Sequence, residues 1–86
     1  MYVIAVYDME ADRTQKMLKL LRRYLTHVQN SVCEGELTEG QLKTLQAEIT
    51  ETVKPTESVI LYRLRDDNWL ERDIYGDDPM DDHRLI

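Results

Sequence analysis

The sequence predicts an α+β fold in which two helices cover one face of a small mixed or antiparallel sheet. Three observations support this prediction. The chain opens on an apolar run that is typical of a buried strand, two later stretches repeat apolar residues at helical spacing, and the remaining apolar runs are short and bounded by turn residues. Such an order of elements favours a two-layer sandwich, because helices that connect strands pack on the sheet.

The first strand is predicted over residues 1–8. Its first seven residues are aliphatic, aromatic or thioether side chains without a clean alternation, which is typical of a strand that is covered on both faces. The run ends at the carboxylate of Asp8. A polar group at the end of a buried strand is held by a rigid element, and functional groups are often placed in this way. Asp8 is therefore a candidate functional residue.

An amphipathic helix is predicted over roughly residues 12–26, with Asp12 as a candidate N-cap. The stretch from residue 13 to residue 23 carries positive charges and no acid. Four of its basic residues span about three turns and are candidates for binding a run of phosphates: Arg13, Lys16, Lys19 and Arg23. Because no aromatic residues are interleaved with them, a duplex backbone is favoured over a single strand. A solvated helix face is the alternative interpretation.

Residues 28–37 are predicted to be extended, either as one long bent strand or as two short strands with a turn near residues 30–31. A second helix is predicted over roughly residues 39–53. Thr38 and Gln41 have the spacing of a capping box, and apolar residues follow at helical intervals.

A further strand is predicted over residues 57–64, a turn over residues 66–68 and a short last strand over residues 69–75. The resulting order, βαββαβ with an additional C-terminal strand, is that of a ferredoxin-like two-layer sandwich. We therefore expect a single ferredoxin-like domain over residues 1–75, followed by an acidic tail over residues 76–86.

Size and composition indicate one globular domain. The chain has 86 residues, of which 42% are hydrophobic and 33% are charged. A domain of this size buries only about 60% of its unfolded surface, so dimerisation is expected. No apolar run approaches the roughly 18 residues of a membrane span, and the single Cys33 forms no intrachain disulfide, which agrees with a reducing compartment. A cytoplasmic protein without membrane contact is expected.

The net charge of −6 is distributed unevenly. Residues 1–30 hold five basic and three acidic residues, whereas residues 66–86 hold eight acids and two arginines. The first helix therefore remains a candidate surface for a polyanion. Three roles are open for the tail: solubilisation without a partner, competition with nucleic acid for the basic helix, and addition of Leu85 and Ile86 to the edge of a partner's sheet.

Few other residues suggest chemistry. Ser31 and Cys33 lack the partner groups of an activated nucleophile and are predicted to be structural. The two histidines and the cysteine have no zinc-ligand spacing. One carboxylate per chain is a poor magnesium site, whereas two that meet at a two-fold axis are a better one. The spacing alone favours the alternative that Asp8 ends the strand and accepts hydrogen bonds from local amides.

Three pieces of the sequence together resemble the CRISPR-associated protein 2 family over roughly residues 1–65. The opening strand ends in Val-Tyr-Asp at residues 6–8 and is followed by a basic helix. Residues 28–35 read Val-Gln-Asn-Ser-Val-Cys-Glu-Gly, and residues 57–59 open a later strand with Glu-Ser-Val. The position that is usually aromatic in this family is Cys33 here.

The resemblance implies a homodimer whose two sheets face each other, with Asp8 of each subunit binding Mg²⁺ between them. Members of the family act as metal-dependent endonucleases on RNA or double-stranded DNA. They also form the non-catalytic bridge of the spacer-integration complex, in which the CRISPR-associated protein 1 integrase performs the chemistry. The implied function is thus a Mg²⁺-dependent endonuclease of CRISPR adaptation with Asp8 as its catalytic residue. The alternatives are a dimeric scaffold that positions DNA for the integrase and a generic ferredoxin-like regulatory domain.

Overall fold

The computed structural model describes residues 1–65 and 68–78. They form an antiparallel sheet that two helices cover on one face. The strands are β1 (Tyr2–Asp8), β2 (Thr26–Gln29), β3 (Val32–Glu36), β4 (Ser58–Leu64) and β5 (Leu70–Gly76), and the helices are α1 (Thr14–Arg22) and α2 (Glu39–Thr52). The sheet order is β2-β3-β1-β4-β5. This topology confirms the predicted ferredoxin-like sandwich with an additional C-terminal strand.

The helices begin differently from each other. The capping box of α2 is confirmed: the hydroxyl of Thr38 accepts from the backbone amide of Gln41, and the Gln41 side chain accepts from the amide of Thr38. The N-cap prediction for Asp12 is wrong. A short 3₁₀ turn, Ala11–Arg13, precedes α1, so that Arg13 occupies the N-cap position, without a side-chain cap. Asp12 lies within this turn and is therefore not the residue that precedes α1.

The segment between the helices consists of two short strands, which confirms the second of the two predicted arrangements. Their pairing contains an irregularity between His27 and Gln29. The first helix ends at Arg22, earlier than predicted, because β2 already begins at Thr26. None of the helices in the described part of the chain is long and apolar enough to cross a membrane.

The central strand β1 pairs with β3 on one side and with β4 on the other. Its residues Val3, Ala5 and Tyr7 are buried in the core beneath the helices. The helices contribute these buried side chains: Met17, Leu20 and Leu21 from α1, and Leu42, Leu45 and Ile49 from α2. The alternate residues of β1 are only partly buried or exposed. A single chain therefore covers one face of β1, not both as the sequence pattern predicted.

We call the side of the sheet opposite the helices the open face. Strand register places these apolar side chains on it: Tyr2, Ile4, Val6, Val32, Ile60, Tyr62, Leu64, Leu70 and Ile74. Of these, Ile60 is already buried in the single chain. The charged members of the same face are Asp8, Glu34, Glu36 and Arg72. The Arg72 guanidinium lies 6.0 Å from the centroid of the Tyr62 ring. The open face is thus an apolar surface with a few charges at its sides.

The chain turns sharply at the end of β5. Gly76 has a φ of +84°, and the amide of Asp77 donates to the carbonyl oxygen of Glu57 over 2.7 Å. A Cβ atom on Gly76 would lie 2.1 Å from that same oxygen. Only glycine fits this approach without moving the backbone. The predicted acidic tail begins here, and its residues 79–86 lie outside the described residues, as do the first two residues of the predicted turn at 66–68.

We expect Gly76→Ala to lower the melting temperature, because both the positive φ and the contact with the Glu57 carbonyl oppose a side chain. The loss in the free energy of unfolding should exceed about 1 kcal/mol. Gly40→Ala is the matched control. Nothing lies within 4 Å of a Cβ atom at Gly40 in α2, so the same change should stabilise by about 0.5–1 kcal/mol. Equal effects of the two substitutions in thermal unfolding would contradict this account.

Candidate metal and nucleic-acid sites

Asp8 is the last residue of β1, and it is exposed. Its backbone pairs with Ser58 at the start of β4. The alternation along β1 directs its side chain towards the open face, because the preceding Tyr7 is buried under the helices. Within the described residues the Asp8 carboxylate has no hydrogen-bond or ion-pair partner, which disfavours the interpretation as a strand end that binds local amides.

A buried carboxylate holds the turn that follows β1. Glu57 is 1% exposed. It accepts hydrogen bonds from Nε and Nη2 of Arg13, at 2.7 and 3.2 Å, and from the backbone amides of Glu10 and Lys54, at 3.1 and 3.0 Å. Arg13 Nη2 also donates to the carbonyl oxygen of Thr52, at 2.6 Å. This cluster joins the turn after β1, the end of α2 and the start of β4.

The electrostatics of this cluster are those of a tight ion pair. The pKa of Glu57 is lowered to about 2, mainly by the hydrogen bond from the Arg13 guanidinium and further by the two backbone amides. Burial acts in the opposite direction and raises the pKa of Glu57. The hydrogen bond to Glu57 in turn raises the pKa of Arg13. The Arg13 side chain is 15% exposed. Its contacts therefore favour a structural role over the predicted contact with phosphate.

The other three predicted basic residues share one groove between α1 and α2. Lys16, Lys19 and Arg23 line it together with Leu20 of α1 and two residues of α2, Glu48 and Thr52, and its volume is about 540 Å³. We call it the basic groove. It lies in the helical layer, whereas Asp8 ends a strand and is directed towards the open face. The structure therefore brings three basic residues together and places them apart from the candidate metal ligand.

One acid lies among the cations of the basic groove. The Glu48 carboxylate accepts hydrogen bonds from the Tyr24 hydroxyl and from the Arg23 guanidinium, and both lower the pKa of Glu48. The Arg23 side chain is 59% exposed, so this is a surface ion pair. Glu48 reduces the positive charge that the groove presents to an anion.

The residues predicted to be structural have structural positions. Cys33 is fully buried in the core, and burial raises the pKa of its thiol, which opposes formation of the nucleophilic thiolate. The carbonyl oxygen of Ser31 accepts from the amide of Tyr7 over 3.1 Å.

Two residues of these sites were missed in the sequence, Glu57 as the buried anchor and Glu48 as the counter-ion. Each partner pair is separated by more than 20 residues. The only local signal was the position of Glu57, a charged residue directly before an apolar strand.

Asp8 supplies one carboxylate of the kind that binds a magnesium ion. Within residues 1–65 and 68–78 there is no group of three or more acidic, histidine or cysteine side chains that could hold a metal. Mg²⁺ is usually bound by one or two carboxylates and completes its coordination with water and substrate phosphates. The exposed Asp8 carboxylate fits that donor set, and a second chain would supply a second carboxylate.

Comparison with known proteins decides the family. The family model described as CRISPR associated protein Cas2 matches residues 1–72. The chain belongs to this family. A similar protein of Haloferax volcanii is 42% identical over 77 residues, which cover 90% of each of the two chains. A similar protein of Dictyoglomus turgidum is 46% identical over 77 residues, which cover 88% of each chain. Both relatives are named CRISPR-associated endoribonuclease Cas2. A structure described as "Crystal structure of cas2" matches with a TM-score of 0.69 and 47% identity over 72% of this chain and 71% of the other.

The match to the Cas2 family confirms the resemblance inferred from the motifs, and the names of the two relatives agree with the predicted nuclease. The matched region contains Asp8, the basic groove and Glu57. The end of β5 and the acidic tail lie beyond it.

We expect the stability of this Cas2-family chain to fall between about pH 4.5 and pH 2. The pKa of Glu57 is lowered from 4.5 to about 2 in the folded protein, so its contribution is fully present above pH 4.5 and is lost as the pH falls through about 2. The contribution is on the order of 3 kcal/mol. Urea unfolding of the wild type and of Glu57→Gln across this range measures it. Their difference in the free energy of unfolding should shrink towards low pH, and a constant difference would contradict the assignment.

Proposed function

We propose that this chain is a metal-dependent endonuclease of CRISPR adaptation that acts as a homodimer on RNA phosphodiesters. The observation that carries the proposal is Asp8. It is an exposed carboxylate at the end of the rigid central strand, and it has no internal partner among the described residues. The relatives' name, endoribonuclease, supports RNA as the substrate class.

The open face is the proposed dimer interface. Its apolar side chains are not covered by the helices, and a domain of this size has a small core of its own. A second copy that packs its open face on the first would bury both sets of side chains. A two-fold axis relates identical residues, so an axis near the end of β1 brings the two Asp8 carboxylates together.

The two Asp8 carboxylates would hold Mg²⁺, and their mutual repulsion favours a cation between them. The metal, when bound, supplies charge stabilisation at the phosphate and lowers the pKa of bound water. The chain contributes hard oxygen ligands at fixed positions, because the Asp8 backbone is paired with β4. The exposure of Asp8 leaves space for water and for a substrate phosphate.

The basic groove is the proposed surface for the nucleic-acid backbone. Lys16, Lys19 and Arg23 would contact phosphates through charge, which provides affinity without base recognition. Arg13 is assigned instead to the turn that follows β1, since its guanidinium is bound to Glu57. Backbone binding at the groove and cleavage at Asp8 are therefore separable by mutation.

A dimeric scaffold is the alternative to the enzyme. A dimer with a basic groove on each outer layer could bridge subunits of the CRISPR-associated protein 1 integrase and position double-stranded DNA, without cleavage of its own. Cleavage assays distinguish this scaffold from the enzyme. A generic regulatory domain without nucleic-acid binding is the third candidate, and salt-sensitive binding would exclude it.

We expect Asp8→Asn to abolish Mg²⁺-dependent cleavage of labelled RNA, with a loss of at least about 100-fold in rate. The substitution removes the charge of the metal ligand and keeps its shape. Asp12→Asn is the matched control, because Asp12 is an exposed acid of the adjacent 3₁₀ turn. EDTA should abolish the cleavage, and sedimentation should show a dimer for both variants. Equal activity of the wild type and Asp8→Asn would contradict the site, and salt-sensitive DNA binding without any cleavage would support the scaffold.

We expect Lys16→Gln combined with Lys19→Gln to weaken nucleic-acid binding and to reduce the slope of log K against log[salt] by up to about 2, because each phosphate contact contributes about 0.9 for a duplex. Glu48→Gln should strengthen nucleic-acid binding and increase the slope, since it frees Arg23 from its counter-ion. Lys43→Gln, an exposed lysine of α2 that does not line the groove, is the control. Fluorescence anisotropy with an RNA duplex and a DNA duplex measures the slopes, and four identical slopes would contradict the basic groove as the interface.

A further inference from the structure

Two successive residues, Glu57 and Ser58, hold the two ends of the segment from Asp8 to Glu10. Ser58 pairs with Asp8 through the backbone ladder of β1 and β4. The carboxylate of the preceding residue, Glu57, accepts a hydrogen bond from the amide of Glu10 over 3.1 Å. The one residue between these anchors, Met9, is partly buried against the core. The backbone that carries the Asp8 side chain is therefore fixed on both sides.

The anchor is itself rigid. Glu57 is 1% exposed and is bound by a guanidinium and two backbone amides, which come from the turn after β1 and from the loop between α2 and β4. No buried polar side-chain atom among the described residues lacks a hydrogen-bond partner, so both Glu57 oxygens are satisfied. A carboxylate held in this way cannot shift without the loss of several charge-assisted hydrogen bonds.

A second set of contacts reinforces the same connection. The Thr56 hydroxyl donates to the Glu10 carboxylate over 2.8 Å, and Lys54 Nζ lies 3.8 Å from it. These contacts involve exposed groups, and solvent screens surface pairs of this kind. The buried contacts of Glu57 therefore dominate the connection between the turn and the start of β4.

We propose that Glu57 is a positioning residue for Asp8: through the Glu10 amide and Arg13, its buried carboxylate keeps the turn after β1 in the one conformation that lets two Asp8 carboxylates share a metal ion. The inference rests on the proposed metal site at Asp8. Glu57 is not a metal ligand, because its oxygens are taken up by internal donors. Mg²⁺ demands near-ideal octahedral geometry, so a shift of the turn by a fraction of an ångström weakens a site that two chains share.

Glu57→Gln tests the proposal, since it keeps the side-chain size and removes the charge that holds Arg13 and the Glu10 amide. The direct readout is Mn²⁺ binding to the full chain, measured by electron paramagnetic resonance as the loss of the free-ion signal. The second readout is the Mg²⁺ concentration that gives half-maximal cleavage. We expect the Mn²⁺ dissociation constant and the half-maximal Mg²⁺ concentration each to rise about tenfold, while the affinity for an RNA duplex at the basic groove remains unchanged.

Leu45→Ala is the control for destabilisation as such. Leu45 is fully buried in α2 and belongs to the core cluster, and it is not one of the groups that bind the Glu57 carboxylate. Its truncation should lower the melting temperature, because it leaves a cavity in the core, yet it should leave the Mn²⁺ affinity unchanged at a temperature at which both variants are folded. Circular dichroism checks the fold, and sedimentation checks the oligomeric state.

The outcomes separate the two proposals. The positioning role would be overturned if Glu57→Gln bound Mn²⁺ as tightly as the wild type, or if Leu45→Ala lost as much Mn²⁺ affinity as Glu57→Gln. The metal site at Asp8 would remain intact in either case. A wild type that binds no Mn²⁺ would overturn the metal site and the inference with it. If Glu57→Gln does not fold, Arg13→Lys replaces it, because this change keeps the charge and loses the bidentate contact. That variant should show a smaller loss of Mn²⁺ affinity, and an unchanged affinity would overturn the positioning role.

Discussion

The buried ion pair between Arg13 and Glu57 is the interaction on which the arrangement of this molecule depends. Removal of a carboxylate from water costs several kcal/mol, and the cost is offset here by a bidentate guanidinium and two backbone amides. Loss of one partner of such a pair typically destabilises by about 3–5 kcal/mol. The exposed pair of Arg23 and Glu48 contributes much less, because solvent screens it. The first pair therefore shapes the fold, whereas the second adjusts the charge of a surface.

The fold keeps its two candidate sites on different layers. Asp8 ends a strand and is directed towards the open face, and the basic groove lies between the helices. A net charge of −6 is compatible with a nucleic-acid surface because charges act over a limited distance. At physiological salt the screening length is about 8 Å, so an anion at the groove responds mainly to its own lining. The net negative charge of the chain would disfavour nucleic acid, whereas the positive lining of the basic groove favours it. The proposed binding at the groove depends on the local charge.

The open face explains a disagreement between the sequence pattern and the single chain. The apolar opening run predicted a strand covered on both faces, and one chain covers only the side of Val3, Ala5 and Tyr7. The remaining apolar residues of β1 lie where a facing sheet would cover them, as the proposed dimer requires. The proposed dimer would therefore account for the apolar character of both faces of β1.

The sequence by itself determined the type and order of the elements, the capping box of α2 and the candidate status of Asp8. These features depend on residues that are close in the chain: apolar periodicity, a cap three residues from its partner, and a carboxylate at the end of an apolar run. Only the tertiary structure decided that Arg13 binds a carboxylate 44 residues away and that Arg23 is paired with an acid 25 residues away. It also decided that the basic helix and Asp8 belong to different layers. Such contacts follow from how the elements pack together, and no local periodicity encodes which partner a charged side chain will meet.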